Sequence, residues 1–258
     1  MRYLLFVVLF ALFMASYHVH ANPMKIVIDP GHGGTDGGAT SSKIREADIT
    51  LQISNRVYQL LKSDKQFAPT LTRASDKIVP LFERSSIAKK SNADLFISIH
   101  ANSSPDLSAK GAEIYFQSQM PPDEESLFLA SRENGTEVQS SDEDAPKGDL
   151  AVIIDDLKKN EHVYNSQIFA ETVIEQWKKK LPIRHEPIRQ GPFHVLVNVP
   201  MPSVLIEVGF VSNSKELTKL LDSNHQTQIA HIIYKSIKSY KEKIDKSEFS
   251  SHIISSRH

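Results

Sequence analysis

The stretch Lys25-Ile-Val-Ile-Asp-Pro-Gly-His-Gly-Gly34 constrains the fold more than any other part of the chain. Ile26-Val27-Ile28 is a short β-branched apolar run, the composition of a buried strand. Pro30 cannot continue that strand, and Gly31, Gly33 and Gly34 let the backbone turn tightly or approach a ligand. His32 is therefore expected at the carboxyl end of a core strand, where α/β sheets place their ligands. A histidine there can bind a metal, and on this stretch alone a solvated histidine in a tight turn explains the pattern equally well.

Two further stretches bear on that choice. Ala93-Asp-Leu-Phe-Ile-Ser-Ile-His-Ala-Asn102 is a second apolar strand ending on a histidine, His100. Pro202-Ser-Val-Leu-Ile-Glu-Val-Gly-Phe210 is a third, carrying Glu207 near its end. A glutamate buried unpaired in an apolar strand is costly, so Glu207 calls for a partner. Glu46 falls in the first turn of an amphipathic helix expected over 46–63, where Ile49, Ile53, Val57, Leu60 and Leu61 repeat at helical spacing. The helix dipole alone explains an acid in that turn, and Asp48 competes for any special role. Imidazoles and carboxylates at element ends are the ligand types of a catalytic zinc site, which uses three protein ligands and keeps one position open.

These motifs resemble the zinc-dependent N-acetylmuramoyl-L-alanine amidases. The resemblance rests on Asp29-Pro-Gly-His-Gly-Gly34, on Glu46 and its helix, on Ser98-Ile-His-Ala-Asn102, and on Gly191-Pro-Phe-His-Val-Leu196 leading into Pro202 to Asn213. It runs from about Lys25 to Lys241, with the motifs in the family's order. It implies Zn²⁺ held by His32, Glu46 and His100, with Glu207 as the general base. It further implies that the amide between N-acetylmuramic acid and L-alanine of the peptidoglycan stem is hydrolysed by a water whose pKa the metal lowers to about 7. His185 and His194 match no ligand position. A zinc peptidase cutting within the stem peptide, or a silent wall-binding or regulatory module, are the rival readings.

Met1–Ala21 reads as a signal peptide: Arg2, an apolar run from Leu4 to Met14, and Val19-His-Ala21 as a cleavage site. The run is short of the roughly 20 apolar residues of a membrane span, although an uncleaved anchor is the alternative. Cleavage removes His18 and His20 and leaves no stable membrane anchor. The expected location is the periplasm. The chain has no cysteine, so any metal relies on His and carboxylate ligands. No basic stripe with interleaved aromatics supports nucleic-acid binding.

Strands alternating with helices imply a single α/β domain over 22–245, with a central mostly parallel or mixed sheet flanked by helices. Strands are expected at Phe67–Arg73 and Gly111–Gln117, and helices at Pro80–Ser91, Val163–Leu181 and about Gln226–Ile244. The segment 246–258 reads as a polar disordered tail. Residues 119–162 form an acidic, partly helical insertion with twelve acids against four bases. Two short helices are expected in it, around Leu127–Leu129 and Leu150–Leu157, with a mobile loop over Gly135–Gly148 between them. An acidic segment on an otherwise basic chain has an electrostatic reason to lie across a metal site. The cell-division amidases of Gram-negative bacteria, which this chain resembles here as well, carry an insertion that blocks the site until an activator protein displaces it. Ala130-Ser-Arg-Glu-Asn134 and Leu150-Ala-Val-Ile-Ile-Asp-Asp-Leu157 look like pieces of it. The resemblance thus implies an autoinhibitory flap and an activator partner, and no single acid of the insertion stands out as the one that would meet the zinc.

Overall fold

A computed structural model describes residues 22–41, 43–117, 121–135, 149–197 and 199–255. The expected leader, Met1–Ala21, and residues 136–148 of the expected loop lie outside them.

In chain order the elements are β1 (Met24–Pro30), β2 (Thr40–Ser41), β3 (Ile44–Arg45), α1 (Glu46–Ser63), β4 (Phe67–Leu71), α2 (Leu81–Lys90), β5 (Leu95–Asn102) and β6 (Ala112–Phe116). They continue with α3 (Glu124–Asn134), α4 (Asp149–Trp177), β7 (Ile183–Gln190), α5 (His194–Val197), β8 (Ser203–Phe210), α6 (Ser214–Leu220) and α7 (Ser223–Ser255). Six strands form one sheet in the order β4–β1–β5–β8–β6–β7. Within this sheet, among the described residues, only the β6–β8 pairing is antiparallel. The expected mixed, mostly parallel sheet is therefore present. Pro69 and Pro187 both lie on edge strands, where a missing N–H costs no central ladder bond.

Side chains alternate across a strand, so the pleat sorts the sheet into two faces. Ile26, Ile28, Ile97, Ile99, Ile114, Val204 and Ile206 point to one face and pack beneath α1, α4 and α7. Ile49, Ile53, Val57 and Leu61 of α1 are fully buried there. Each such side chain stabilises the fold by about 1.5–3 kcal/mol. Val27, Phe96, Tyr115 and Leu205 point the other way, into a smaller core with Leu129 and Ala130 of α3 and Val195 and Leu196 of α5. Asp29, Ser98, His100, Glu113 and Glu207 occupy alternate positions on these same strands, so they belong to this second face. A register shift between His100 and Asn102 marks the end of β5, as bulges beside sites commonly do.

Two expectations are corrected by the backbone. The second short helix of the insertion is not separate from the one expected over 163–181, because α4 runs unbroken from Asp149 to Trp177. No Gly or Pro interrupts that stretch, so nothing stops the helix. For the same reason α7 continues past Ile244 to Ser255, into the segment expected to be a disordered tail. Among the described residues, no helix is long and apolar enough to cross a membrane.

Candidate active site

The loop after β1 is fastened by two buried arginines. Arg73 donates to the carbonyls of Pro30 (2.9 Å), Gly31 (2.6 Å) and Ala47 (2.9 Å). Arg84 donates to the carbonyls of Pro30 (2.8 Å) and His32 (2.9 Å) and to Asp29 Oδ1 (2.8 Å). Asp29 also accepts from the hydroxyls of Thr72 and Ser98. Burial opposes its charge, yet Arg84 and these hydroxyls hold its carboxyl below the usual range. The backbone is thus held where His32 needs it, at a left-handed φ of 60° that non-glycine residues rarely adopt.

His32 is aimed from behind. Its Nδ1 lies 2.9 Å from Asp36 Oδ2, which favours the proton on Nδ1 and leaves the lone pair on Nε2. Nε2 faces Glu46 Oε2 at 3.2 Å. Glu46 is fixed at the first position of α1, where Oε2 accepts from the Ala39 amide and Oε1 from the Ala101 amide, both at 2.9 Å. From β5, His100 Nδ1 reaches Glu46 Oε1 at 3.1 Å. Two glycines leave room for the rings. A Cβ on Gly31 would lie 2.5 Å from the His100 ring, and one on Gly38 would lie 2.5 Å from the His32 ring.

A fourth group joins these three. Glu133, near the end of α3, places Oε2 2.9 Å from His100 Nδ1 and 3.1 Å from His32 Nε2. One ligand atom from each of His32, Glu46, His100 and Glu133 lies within 4.8 Å of all the others. The set fits a metal on its own chemistry. Two neutral imidazoles and two carboxylates carry two negative charges in a buried space, which a divalent cation would balance. Protons are drawn in otherwise: burial disfavours the His100 imidazolium, yet Glu133 and Glu46 push its pKa up to about 10. His32 is raised in the same way, burial being overridden by Glu46, Asp36 and Glu133. His32 Nε2 and Glu133 Oε2 have no hydrogen-bond partner among the described residues.

Glu207 lies directly across from His100 in the β5–β8 register and is fully buried. Neither of its carboxylate oxygens has a hydrogen-bond partner among the described residues. Burial pushes its pKa well up, Glu46, Glu133 and Glu113 reinforce the shift, and His100 opposes it. A carboxylate so placed beside a metal-type cluster suits general-base work.

All four residues singled out in the sequence, His32, Glu46, His100 and Glu207, come together. Asp48 does not: it pairs with Arg45 at 2.6 Å on the surface. His185 is exposed, and neither it nor His194 joins the cluster. Glu133 is the residue that sequence reasoning left unassigned among the acids of the insertion. Its local signal was only the similarity of Ala130–Asn134 to a regulatory segment.

The chain is similar to proteins of one family. Residues 26–239 match the N-acetylmuramoyl-L-alanine amidase family. The chain is 33% identical over 244 residues to a probable N-acetylmuramoyl-L-alanine amidase, AmiB, of Haemophilus influenzae, covering 90% of this chain and 56% of that protein. It is 31% identical over 218 residues to the amidase AmiA of Escherichia coli, covering 83% and 75%. The chain spans about half the length of the first curated relatives it matches. The solved catalytic domain of the amidase CwlV of Bacillus (Paenibacillus) polymyxa superposes with a TM-score of 0.64 at 29% identity, covering 85% of this chain and 98% of that one. A match that runs over most of the chain leads to one assignment: the chain belongs to the N-acetylmuramoyl-L-alanine amidase family.

Proposed function

We propose that this chain is a zinc-dependent N-acetylmuramoyl-L-alanine amidase that hydrolyses the amide joining the glycan to L-alanine of the peptidoglycan stem, and that α3 holds it inactive. The observation that carries the reading is the gathering of His32, Glu46 and His100 with Glu207 on one sheet face, closed over by Glu133. His32, Glu46 and His100 would hold the zinc, with Asp36 orienting His32. When bound, zinc supplies Lewis acidity toward a water and the scissile carbonyl.

The chain's own residues supply the rest. Glu207 takes a proton from the attacking water and delivers it to the leaving amine of L-alanine. Its raised proton affinity suits both halves of that transfer.

Glu133 Oε2 stands 2.9 Å and 3.1 Å from the histidine nitrogens that would face the zinc, where it would compete with a water. Its helix is held by several contacts. Leu129 and Ala130 are buried in the second core. Arg132 donates to the Ser103 carbonyl at 2.6 Å, and Asn134 bonds Pro192 O and His194 N at 2.9 and 2.7 Å. An activator protein that draws α3 away would free the site. Export by the Met1–Ala21 leader would bring the enzyme to peptidoglycan in the periplasm.

The test is mass spectrometry of products released from purified peptidoglycan by the zinc-loaded mature chain, its Glu133→Ala form, and His32→Ala. Stem peptides beginning at L-alanine, more abundant with Glu133→Ala and absent with the zinc-poor His32→Ala, are expected. Cleavage inside the stem would overturn the amidase reading in favour of a peptidase. No product from the Glu133→Ala form with zinc bound would overturn the catalytic reading altogether.

A further inference from the structure

Beside Glu207 lies a group that the proposed chemistry does not use. Glu113 of β6 is paired residue to residue with Glu207 of β8 and is fully buried. Its Oε2 accepts from Asn102 Nδ2 at 2.9 Å. Its Oε1 faces two guanidiniums from β7, Arg184 NH1 at 3.3 Å and Arg189 Nε at 3.5 Å. Neither contact is a well-formed hydrogen bond, and Glu113 Oε1 and Arg184 NH1 have no hydrogen-bond partner among the described residues.

The arginines spend their short contacts elsewhere. Arg184 NH2 lies 2.7 Å from Glu125 Oε1, and Arg189 NH1 lies 2.7 Å from Glu125 Oε2. Asp123 Oδ1 is a more distant partner of Arg189 at 3.4 Å. The Arg184 guanidinium also sits 5.5 Å from the centre of the Phe210 ring, which fixes its plane. One carboxylate is therefore gripped at both oxygens by two oriented guanidiniums, the geometry by which arginines recognise a carboxylate. That carboxylate belongs to α3, the same helix that brings Glu133 to the histidines. Once α3 leaves, two partly buried cations face the single charge of Glu113.

We propose that Arg184 and Arg189 form the subsite for a carboxylate of the stem peptide, and that Glu125 occupies this subsite in the closed enzyme. The inference rests on the amidase reading given above. Distance selects which carboxylate. β7 lies two strands from β8, about 10 Å across the sheet, and Arg189 stands level with Leu205, two residues along β8 from Glu207. The arginine side chains reach back over Glu113 and shorten that gap. One extended residue spans about 3.5 Å, so the match is a carboxylate on the residue after the leaving alanine. α3 thus mimics substrate at one end with Glu125 and covers the metal-type cluster at the other with Glu133.

The test is calorimetric binding of two synthetic peptides to the zinc-loaded mature chain carrying Glu125→Ala and Glu133→Ala, which removes both carboxylates by which α3 occupies the site. The peptides are lactoyl-L-alanyl-D-glutamate as its α-acid and as its α-amide, with the side-chain carboxyl blocked in both. The α-acid is expected to bind at least tenfold more tightly, and adding Arg189→Gln is expected to abolish the preference. Equal binding of the two peptides, no binding of either, or a preference that survives Arg189→Gln would overturn the subsite. The acid–amide comparison stands even if the variant with Arg189→Gln fails to fold. Absence of peptidoglycan cleavage with this preference intact would overturn the amidase reading and leave the carboxylate clamp. Cleavage without the preference would do the reverse.

Discussion

Glu133 Oε2 lies 2.9 Å from His100 Nδ1, although the two residues come from a helix of the insertion and from the central strand of the sheet. The contact ties the acidic insertion to the metal-type cluster through one carboxylate. Replacing Glu133 by alanine is expected to leave zinc content unchanged, since His32, Glu46 and His100 remain. Peptidoglycan cleavage without a partner protein should rise at least tenfold. Metal analysis alongside a product-release rate checks both; loss of zinc in the variant would make Glu133 a structural ligand instead.

Glu207→Gln keeps the shape of the side chain and removes its ability to accept a proton. Zinc binding should persist, and turnover in the Glu133→Ala background should fall by about 10²–10⁴-fold, the usual worth of a general base. Rates measured at saturating substrate are the readout. A variant that turns over at the parent rate would remove Glu207 from the chemistry.

Gly31 has no room for a side chain, because a Cβ there would sit 2.5–2.7 Å from three atoms of the His100 ring. Gly31→Ala must displace that ring. We expect zinc affinity to drop about tenfold or more, the scale seen when groups supporting a metal ligand are disturbed. The helical content should remain near that of the parent. Competition with a chelating dye measures the affinity, and circular dichroism the fold.

Asp29 and Arg84 form a buried pair at 2.8 Å beneath the His32 loop. Removing one partner of such a pair leaves the other uncompensated, so Asp29→Asn should cost about 3–5 kcal/mol of stability near neutral pH. The pH dependence follows from the lowered folded-state pKa of Asp29. Its stabilisation is complete above the unfolded pKa of about 3.9 and is lost as pH falls through the lower folded value. The parent should therefore lose stability below about pH 4 more steeply than Asp29→Asn. Denaturant melts of both proteins between neutral and acid pH would show it, and parallel acid limbs would contradict it.

Local composition marks the main strands, their order along the chain and the ends that carry the candidate site residues. Ile26–Ile28, Leu95–Ile99 and Val204–Ile206 are apolar runs cut off by Pro, Gly or polar residues, and local composition decides such boundaries. His32, His100 and Glu207 were legible because each interrupts or ends such a run, and Glu46 because its helix start was recognisable in its family context. Tertiary structure alone decided what depends on packing between distant segments. Pleat alternation put His100, Glu113 and Glu207 on one face, but only strand order made Glu207 the neighbour of both others. The insertion holds twelve acids of similar local character, and only the likeness of Ala130–Asn134 to a regulatory segment sets Glu133 apart from the rest. The docking of Leu129 and Ala130 against α5 and the sheet selects it, because that packing fixes which turn of α3 faces the histidines. Asp36, Arg73 and Arg84 were invisible for the same reason: a polar side chain acquires its role from buried partners, and those partners here lie on other elements or across a loop whose shape the fold imposes.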